Sequence, residues 1–249
     1  MIICIDPGHG GYDAGACGYG LREKDITLKI ALKLRDLLKN SCTVVMTRDS
    51  DNTVWNSNND LATRCQMANN SKVDYFLSIH VNAGGGTGFE NYYGDNASQQ
   101  SIQLAKLIHD NLATFYKSKG YIDRGLKSGH LWVLRRTNMP ATLIENLFID
   151  NPNDAKALGN DNFLSEIAYS IANALAIMFN LKLNISQKEV IPVVGPFQDV
   201  PVTHWAAQDI LDLYNRGLLA KDTAFRPDQP ITRAETVALL NRVLKYFGK

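Results

Sequence analysis

Through roughly the first 180 residues, short β-branched apolar runs alternate with longer stretches in which apolar positions recur every three or four residues. IICID at the N-terminus is a run of the first kind and predicts a strand. KDITLKIALKLRDLL is of the second kind: Ile26, Ile30, Leu34 and Leu37 fall at helical spacing and predict a helix with one buried stripe. TVVMT then predicts a strand, LATRCQMAN a helix, and DYFLSIHVNA a strand closed by Asn82-Ala83-Gly84. After the loop Gly84-Gly85-Gly86-Thr87-Gly88, GFENYYG predicts an edge strand. Residues 99–117 predict a long helix with Leu104, Leu107, Ile108, Leu112 and Phe115 on one face. HLWVLR and ATLIENL predict two further strands, and FLSEIAYSIANALAIMF a closing helix. Such alternation is the mark of βαβ units, so the expected fold class is α/β, a mostly parallel sheet flanked by helices.

The pattern changes after Leu183. NISQKEVIPVVGPFQDVP has three prolines and no periodicity, and residues 183–197 are expected to be a linker. Beyond it, THWAAQDILDLYNRGLL and ITRAETVALLNRVLKYF predict two amphipathic helices, the second opened by Thr232 and Glu235 as a capping box. The expected organisation is therefore a sheet domain over 1–182, the linker, and a small all-helical C-terminal module over 198–249.

Composition narrows the function. The 249 residues carry 26 basic and 25 acidic groups, a formal net charge of +1, which argues against a nucleic-acid partner held by phosphate neutralisation. No run approaches the roughly 18 apolar residues of a membrane span. MIICIDPGHGG has neither a basic n-region nor an apolar h-region, so it is expected to be a first strand and not a secretory signal. The four cysteines, Cys4, Cys17, Cys42 and Cys65, form no CxxC pair, and Cys4 and Cys42 fall where small buried hydrophobes are expected.

Chemistry-bearing residues gather where strands end. His9 follows the first strand within Pro7-Gly8-His9-Gly10-Gly11, His80 closes DYFLSIH, Glu145 lies in ATLIENL, and Glu23 opens the first long helix. Two imidazoles and one carboxylate make a common zinc set that leaves a position open, and a second carboxylate then serves proton transfer. The residue types alone leave open which glutamate is the ligand. Asn82, on the same strand face as His80, is a candidate to orient substrate or the ligand shell, or simply to end the strand. His130, before a predicted strand, is a candidate for the cleft wall, and His109 is expected on a helix surface.

Asp6-Pro7-Gly8-His9-Gly10-Gly11, Glu23-Lys24-Asp25, Thr47-Arg48-Asp49 with Leu61, Arg64 and Ala68-Asn69, Ser78-Ile79-His80-Val81-Asn82-Ala83, and Met139-Pro140 before Ile144-Glu145-Asn146 occur in this order over residues 1–180. This stretch resembles the zinc-dependent N-acetylmuramoyl-L-alanine amidases of the amidase 3 type. The resemblance implies that His9, Glu23 and His80 bind one Zn2+ and that Glu145 is the catalytic carboxylate. It also implies hydrolysis of the amide between the lactyl group of N-acetylmuramic acid and L-Ala of peptidoglycan. The family often has Gly-Phe two residues after this Glu; here the run is Glu145-Asn146-Leu147-Phe148. Family members with an autoinhibitory helix carry a long insertion after the His80 strand; the short glycine loop here predicts an open cleft, flexible enough to admit a polymer. The competing expectations are a zinc peptidase cutting within the stem peptide and a non-catalytic wall-binding protein.

Phe197-Gln198-Asp199-Val200-Pro201, His204-Trp205-Ala206, Gly217-Leu218-Leu219, Phe225-Arg226-Pro227-Asp228 and Ile231-Thr232-Arg233-Ala234-Glu235 resemble a surface-layer homology motif. That resemblance implies binding of a secondary cell-wall polysaccharide, often pyruvylated, through Asp199, Trp205 and Arg233. A single motif, where three copies are usual, suggests weak binding or self-association. A wall-lytic enzyme made without a signal peptide is expected to reach the wall by a holin-type or lysis route, as a phage endolysin or an autolysin.

Overall fold

The computed structural model describes residues 1–183, 193–194, 197–201, 206–219, 224–227 and 229–248. The chain divides into two compact units, Met1–Ile185 and Ser186–Lys249. In chain order the first contains β1 (Ile2–Pro7), β2 (Cys17–Gly18), β3 (Leu21–Arg22), α1 (Glu23–Leu38), β4 (Thr43–Met46) and α2 (Asp60–Asn70). It continues with β5 (Tyr75–Asn82), β6 (Phe89–Gly94), α3 (Gln99–Ser118), β7 (Asp123–Gly129), α4 (Trp132–Arg136), β8 (Ala141–Phe148), α5 (Pro152–Leu158) and α6 (Asp161–Phe179).

Six strands form one sheet in the order β4-β1-β5-β8-β6-β7. Pairing is parallel from β4 to β8, and β6 then runs antiparallel to β8 and parallel to β7. The strands read as near-continuous apolar runs because both faces are covered. Ile3, Ile5, Leu77, Ile79 and Ile144 pack in the larger core with the apolar stripes of α1, α3 and α6. Cys4, Phe76 and Leu143 point the other way, toward Cys65 of α2 and Val133 of α4. Helix α6 is long and apolar enough by composition to cross a membrane, but Ile167, Ala168, Ile171, Ala172 and Leu175 are fully buried in the larger core.

Four expectations change. HLWVLR is not a strand: Trp132–Arg136 is one short helix, and the strand precedes it as Asp123–Gly129. DRGLKSG lies at a sheet edge, half-buried, and so carries no apolar alternation to announce it. GFENYYG supplies an inner strand, since β7 covers its outer side. His109 is buried, stacked on Phe89 with ring centroids 5.4 Å apart, because α3 packs this face on the sheet. The glycine loop joins β5 to β6 with no helix in it, yet it is pinned. Asp150 Oδ2 accepts from Gly84 N and Gly85 N at 2.7 and 2.8 Å, and Asp154 accepts from Thr87 Oγ1 and Gly88 N at 2.8 and 3.0 Å. All four cysteines are free; Cys4 and Cys65 are buried, Cys42 is half-buried and Cys17 exposed.

The second unit contains β9 (Val193–Val194), β10 (Phe197–Pro201), α7 (Ala207–Asn215) and α8 (Arg233–Tyr246). A short antiparallel pair, β9 with β10, thus joins the two expected helices. Most of the expected linker, 184–192 and 195–196, lies outside the described residues, and its remaining part supplies this pair. Phe197, Val200, Ala207 and Ile210 form the unit's buried cluster. Thr232 and Glu235 make the reciprocal capping box of α8.

Candidate metal centre and active site

Side chains alternate along β5, so Tyr75, Leu77, Ile79 and Val81 enter the larger core while Ser78, His80 and Asn82 face the α2–α4 side. His80 pairs in register with Glu145 of β8, and Glu145 in turn with Glu90 of β6. All three therefore share one face of the sheet.

His9 reaches the same place from the turn after β1. The turn is held from below by two buried arginines. Arg64 donates to Pro7 O and His9 O, each at 2.7 Å, and Arg48 to Pro7 O at 3.1 Å and Gly8 O at 2.9 Å. Arg64 is itself paired with the buried Asp6 at 2.8 Å. Burial opposes the Asp6 charge, but the Arg64 charge and the bonds from Thr47, Arg64 and Ser78 hold its pKa below the ordinary carboxylate value. His9 has φ +60°, a left-handed conformation uncommon for a side chain with a Cβ, and the arginine bonds to its flanking carbonyls keep it there. Gly8 has no alternative, because a Cβ there would run into the His80 ring.

Glu23 is the first residue of α1, where the helix N-terminus favours a negative charge. Its Oε1 lies 2.9 Å from His80 Nδ1 and accepts from Val81 N at 2.9 Å. Its Oε2 lies 3.1 Å from His9 Nε2 and accepts from Ala16 N at 2.9 Å. One donor atom each from His9, Glu23 and His80 thus falls within 4.8 Å of the others. Of the two glutamates the sequence left open, Glu23 is the one that meets both imidazoles.

The donor set fits a zinc ion. Two imidazoles and a carboxylate converge, and the second nitrogen of His9, Nδ1, is 2.7 Å from Asp13 Oδ2, the position of the outer carboxylate that commonly orients a metal-binding histidine. Without metal the carboxylates hold protons on the site. Burial works against a charged His9, but the bonds and charges of Glu23 and then Asp13 outweigh it and raise its pKa to about 9. For Glu23, burial is likewise outweighed by His80 and His9, and its pKa falls far below the usual carboxylate range.

Glu145 differs. It stands next to His80 in the sheet, its Oε2 is shielded and has no hydrogen-bond partner among the described residues, and burial raises its pKa to about 7. Leu61, Arg64, Leu131 and Trp132 line the cleft beside His9 and His80. His130, the residue before them, instead bonds Asp95 at 2.8 Å and Arg135 at 2.8 Å on the exposed side. Asn82 donates to Glu90 at 2.7 Å, which fixes the cleft wall next to Glu145. Sequence reasoning missed Asp13, Glu90 and the task of Arg48 and Arg64. For Asp13 a signal existed, an acid four residues after His9 in a glycine-rich turn.

In the second unit Asp199 accepts from Phe225 N at 2.7 Å and Arg226 N at 2.6 Å, and so holds the turn before α8. Arg233 is exposed at the start of α8. Trp205 lies outside the described residues.

Residues 3–176 match the N-acetylmuramoyl-L-alanine amidase family, and residues 196–237 the S-layer homology domain. The amidase CwlM of Bacillus licheniformis is 45% identical over 185 residues, 73% of this chain and 70% of its own. An endolysin of Bacillus phage SPP1 is 39% identical over 248 residues, 96% of this chain and 89% of its own. The catalytic domain of the amidase CwlV from Bacillus (Paenibacillus) polymyxa var. colistinus superposes with a TM-score of 0.65 at 33% identity, covering 73% of this chain and 99% of that one. The ordered motifs, the sheet that aligns them and these likenesses agree, and the chain belongs to the N-acetylmuramoyl-L-alanine amidase family, hydrolases that act on the bacterial cell wall.

Proposed function

We propose that this amidase works with one zinc ion held by His9, Glu23 and His80, and that Glu145 moves the protons of the reaction. The observation that supports the reading most is the convergence of three donor atoms within 4.8 Å beside a glutamate whose Oε2 has no partner among the described residues. Zinc, when bound, supplies Lewis acidity toward a carbonyl and lowers the pKa of water. Burial of Glu145 favours its holding a proton, which suits a group that must both accept one and give it back. It takes a proton from the attacking water and returns it to the nitrogen of L-Ala as the amide to the muramoyl lactyl group breaks. Asp13 holds His9 through Nδ1 and so leaves Nε2 turned toward the metal position, and Asn82 holds the wall beside Glu145.

Residues 1–182 form the catalytic domain in this reading, and 198–249 the wall-binding module, which recognises a secondary cell-wall polysaccharide. Arg233 offers an exposed guanidinium to an acidic sugar, Asp199 shapes the turn before α8, and Trp205 is assigned to sugar packing on the motif resemblance alone. A single module of this kind is completed by a second copy. The likeness to a phage endolysin along 96% of the chain supports a lytic role, with release to the wall by a lysis route.

The test is product analysis on purified peptidoglycan. Free lactyl carboxyls with intact stem peptides are expected, whereas cleaved stems would indicate a peptidase and an absence of products a wall-binding protein. Glu145→Gln is expected to lose about 10²- to 10⁴-fold in turnover with its zinc content unchanged. Full turnover in that variant overturns the role given to Glu145.

A further inference from the structure

The row of acidic and imidazole side chains does not end at Glu145. Glu90 pairs in register with Glu145 on the side away from His80, so His80, Glu145 and Glu90 follow one another across three strands, each about 4.8 Å from the next. Four donors converge on the buried Glu90 carboxylate. Its Oε1 accepts from Asn82 Nδ2 at 2.7 Å and the Tyr92 hydroxyl at 2.8 Å; its Oε2 accepts from Arg124 Nε at 2.7 Å and from the Lys127 ammonium.

Two cations on one carboxylate leave a surplus positive charge. Neutralising Glu90 needs only one of them, and each cationic side chain keeps more than a third of its surface exposed, 36% for Arg124 and 37% for Lys127. Both are also positioned by rings. The Arg124 guanidinium lies 4.8 Å from the centroid of Phe148, and the Lys127 ammonium 5.8 Å from that of Tyr92. Cations held in this way lose little further freedom when they meet an anion.

The chemistry sets the direction of the substrate. Glu145 returns its proton to the nitrogen of L-Ala, so the peptide half of the substrate leaves on the Glu145 side of the metal ligands. One more residue of extended chain covers about 3.5 Å. A peptide that continues from that nitrogen along the row toward Glu90 brings the residue after L-Ala within reach of the two cations. We propose that Arg124 and Lys127 bind a carboxylate on this second residue of the stem peptide and so select stems that carry a free acid there over stems that carry a carboxamide. This selectivity rests on the role given above to Glu145.

The experiment uses the full-length, zinc-loaded protein and two muramoyl peptides that differ only in carboxylate or carboxamide at the second residue, with the C-terminal carboxyl kept in both. The expected kcat/KM ratio, acid over amide, is roughly tenfold or more. Arg124→Gln and Lys127→Gln are expected to bring the ratio toward one by raising KM for the acid substrate, and Lys127→Arg to keep it. A wild-type ratio near one, or a ratio that survives the double Gln variant, overturns the proposal. Because both substrates are read on one sample, the ratio does not depend on the fraction of a variant that folds. The role of Glu145 fails separately, through retained turnover in Glu145→Gln.

Discussion

His9 shows how much one side chain can be asked to satisfy. Its Nδ1 faces Asp13 at 2.7 Å and its Nε2 faces Glu23 at 3.1 Å, so the ring orientation is set before any ion arrives. Asp13→Ala is expected to weaken zinc binding by about 10- to 100-fold, measured by competition with a chelating dye, while leaving the fold intact. The proton held on His9 up to about pH 9 must leave when metal binds. Zinc affinity is therefore expected to climb with pH until about 9 and then level off, and loading at neutral pH to release protons. A pH-independent affinity between 6 and 8 would contradict the pairing of His9 with two carboxylates. That His9, Glu23 and His80 would meet was legible in the sequence through their residue types and their place in the ordered motifs, and the structure brings their donor atoms together. Arg48 and Arg64 were visible only as motif members, because their work is done on carbonyls some 40 and 55 residues away.

Among the elements, β8 departs from an ideal strand near its end, where its register with β5 shifts. Leu147 has φ +63° and is fully buried in the larger core, just where the family often has glycine. The left-handed conformation costs a residue with a Cβ about 1–2 kcal/mol, whereas deleting a buried leucine side chain costs about 2–5 kcal/mol. Packing wins, and Leu147→Gly is expected to lower stability by about 1–3 kcal/mol despite relieving the backbone. Denaturant unfolding with an unchanged m-value checks this, and a more stable variant would reverse the ordering of the two effects. Strands with continuous apolar runs were readable from the chain, as β1, β4, β5 and β8 show. The edge strand β7 was not, because its DRGLKSG run has one side open and its residues serve Glu90 and the sheet margin. Helix α5 also escaped notice; its Asn151 cap and Pro152 start are local signals of a kind that short helices share with turns.

For the whole molecule, the chain divides into two compact units near the place where periodicity is lost, after Leu183, and the β9–β10 pair was hidden in a proline-rich stretch. The second unit keeps Val237, Leu240, Leu244 and Phe247 of α8 and its end 50–66% exposed, an apolar stripe at helical spacing. If a second copy completes this module, light scattering is expected to give a mass near twice that of one chain at micromolar concentration, falling toward a monomer in Leu240→Lys. A single-chain mass at every concentration would count against it. The position of β8 has a further consequence, for shortened chains. The strand that bears Glu145 is the last of the sheet to be synthesised, yet it lies between β5 and β6, near the middle. On the role proposed for Glu145, a chain that stops short of β8 lacks the proton-transfer group, and a truncation ending at residue 140 is expected to release no product from peptidoglycan.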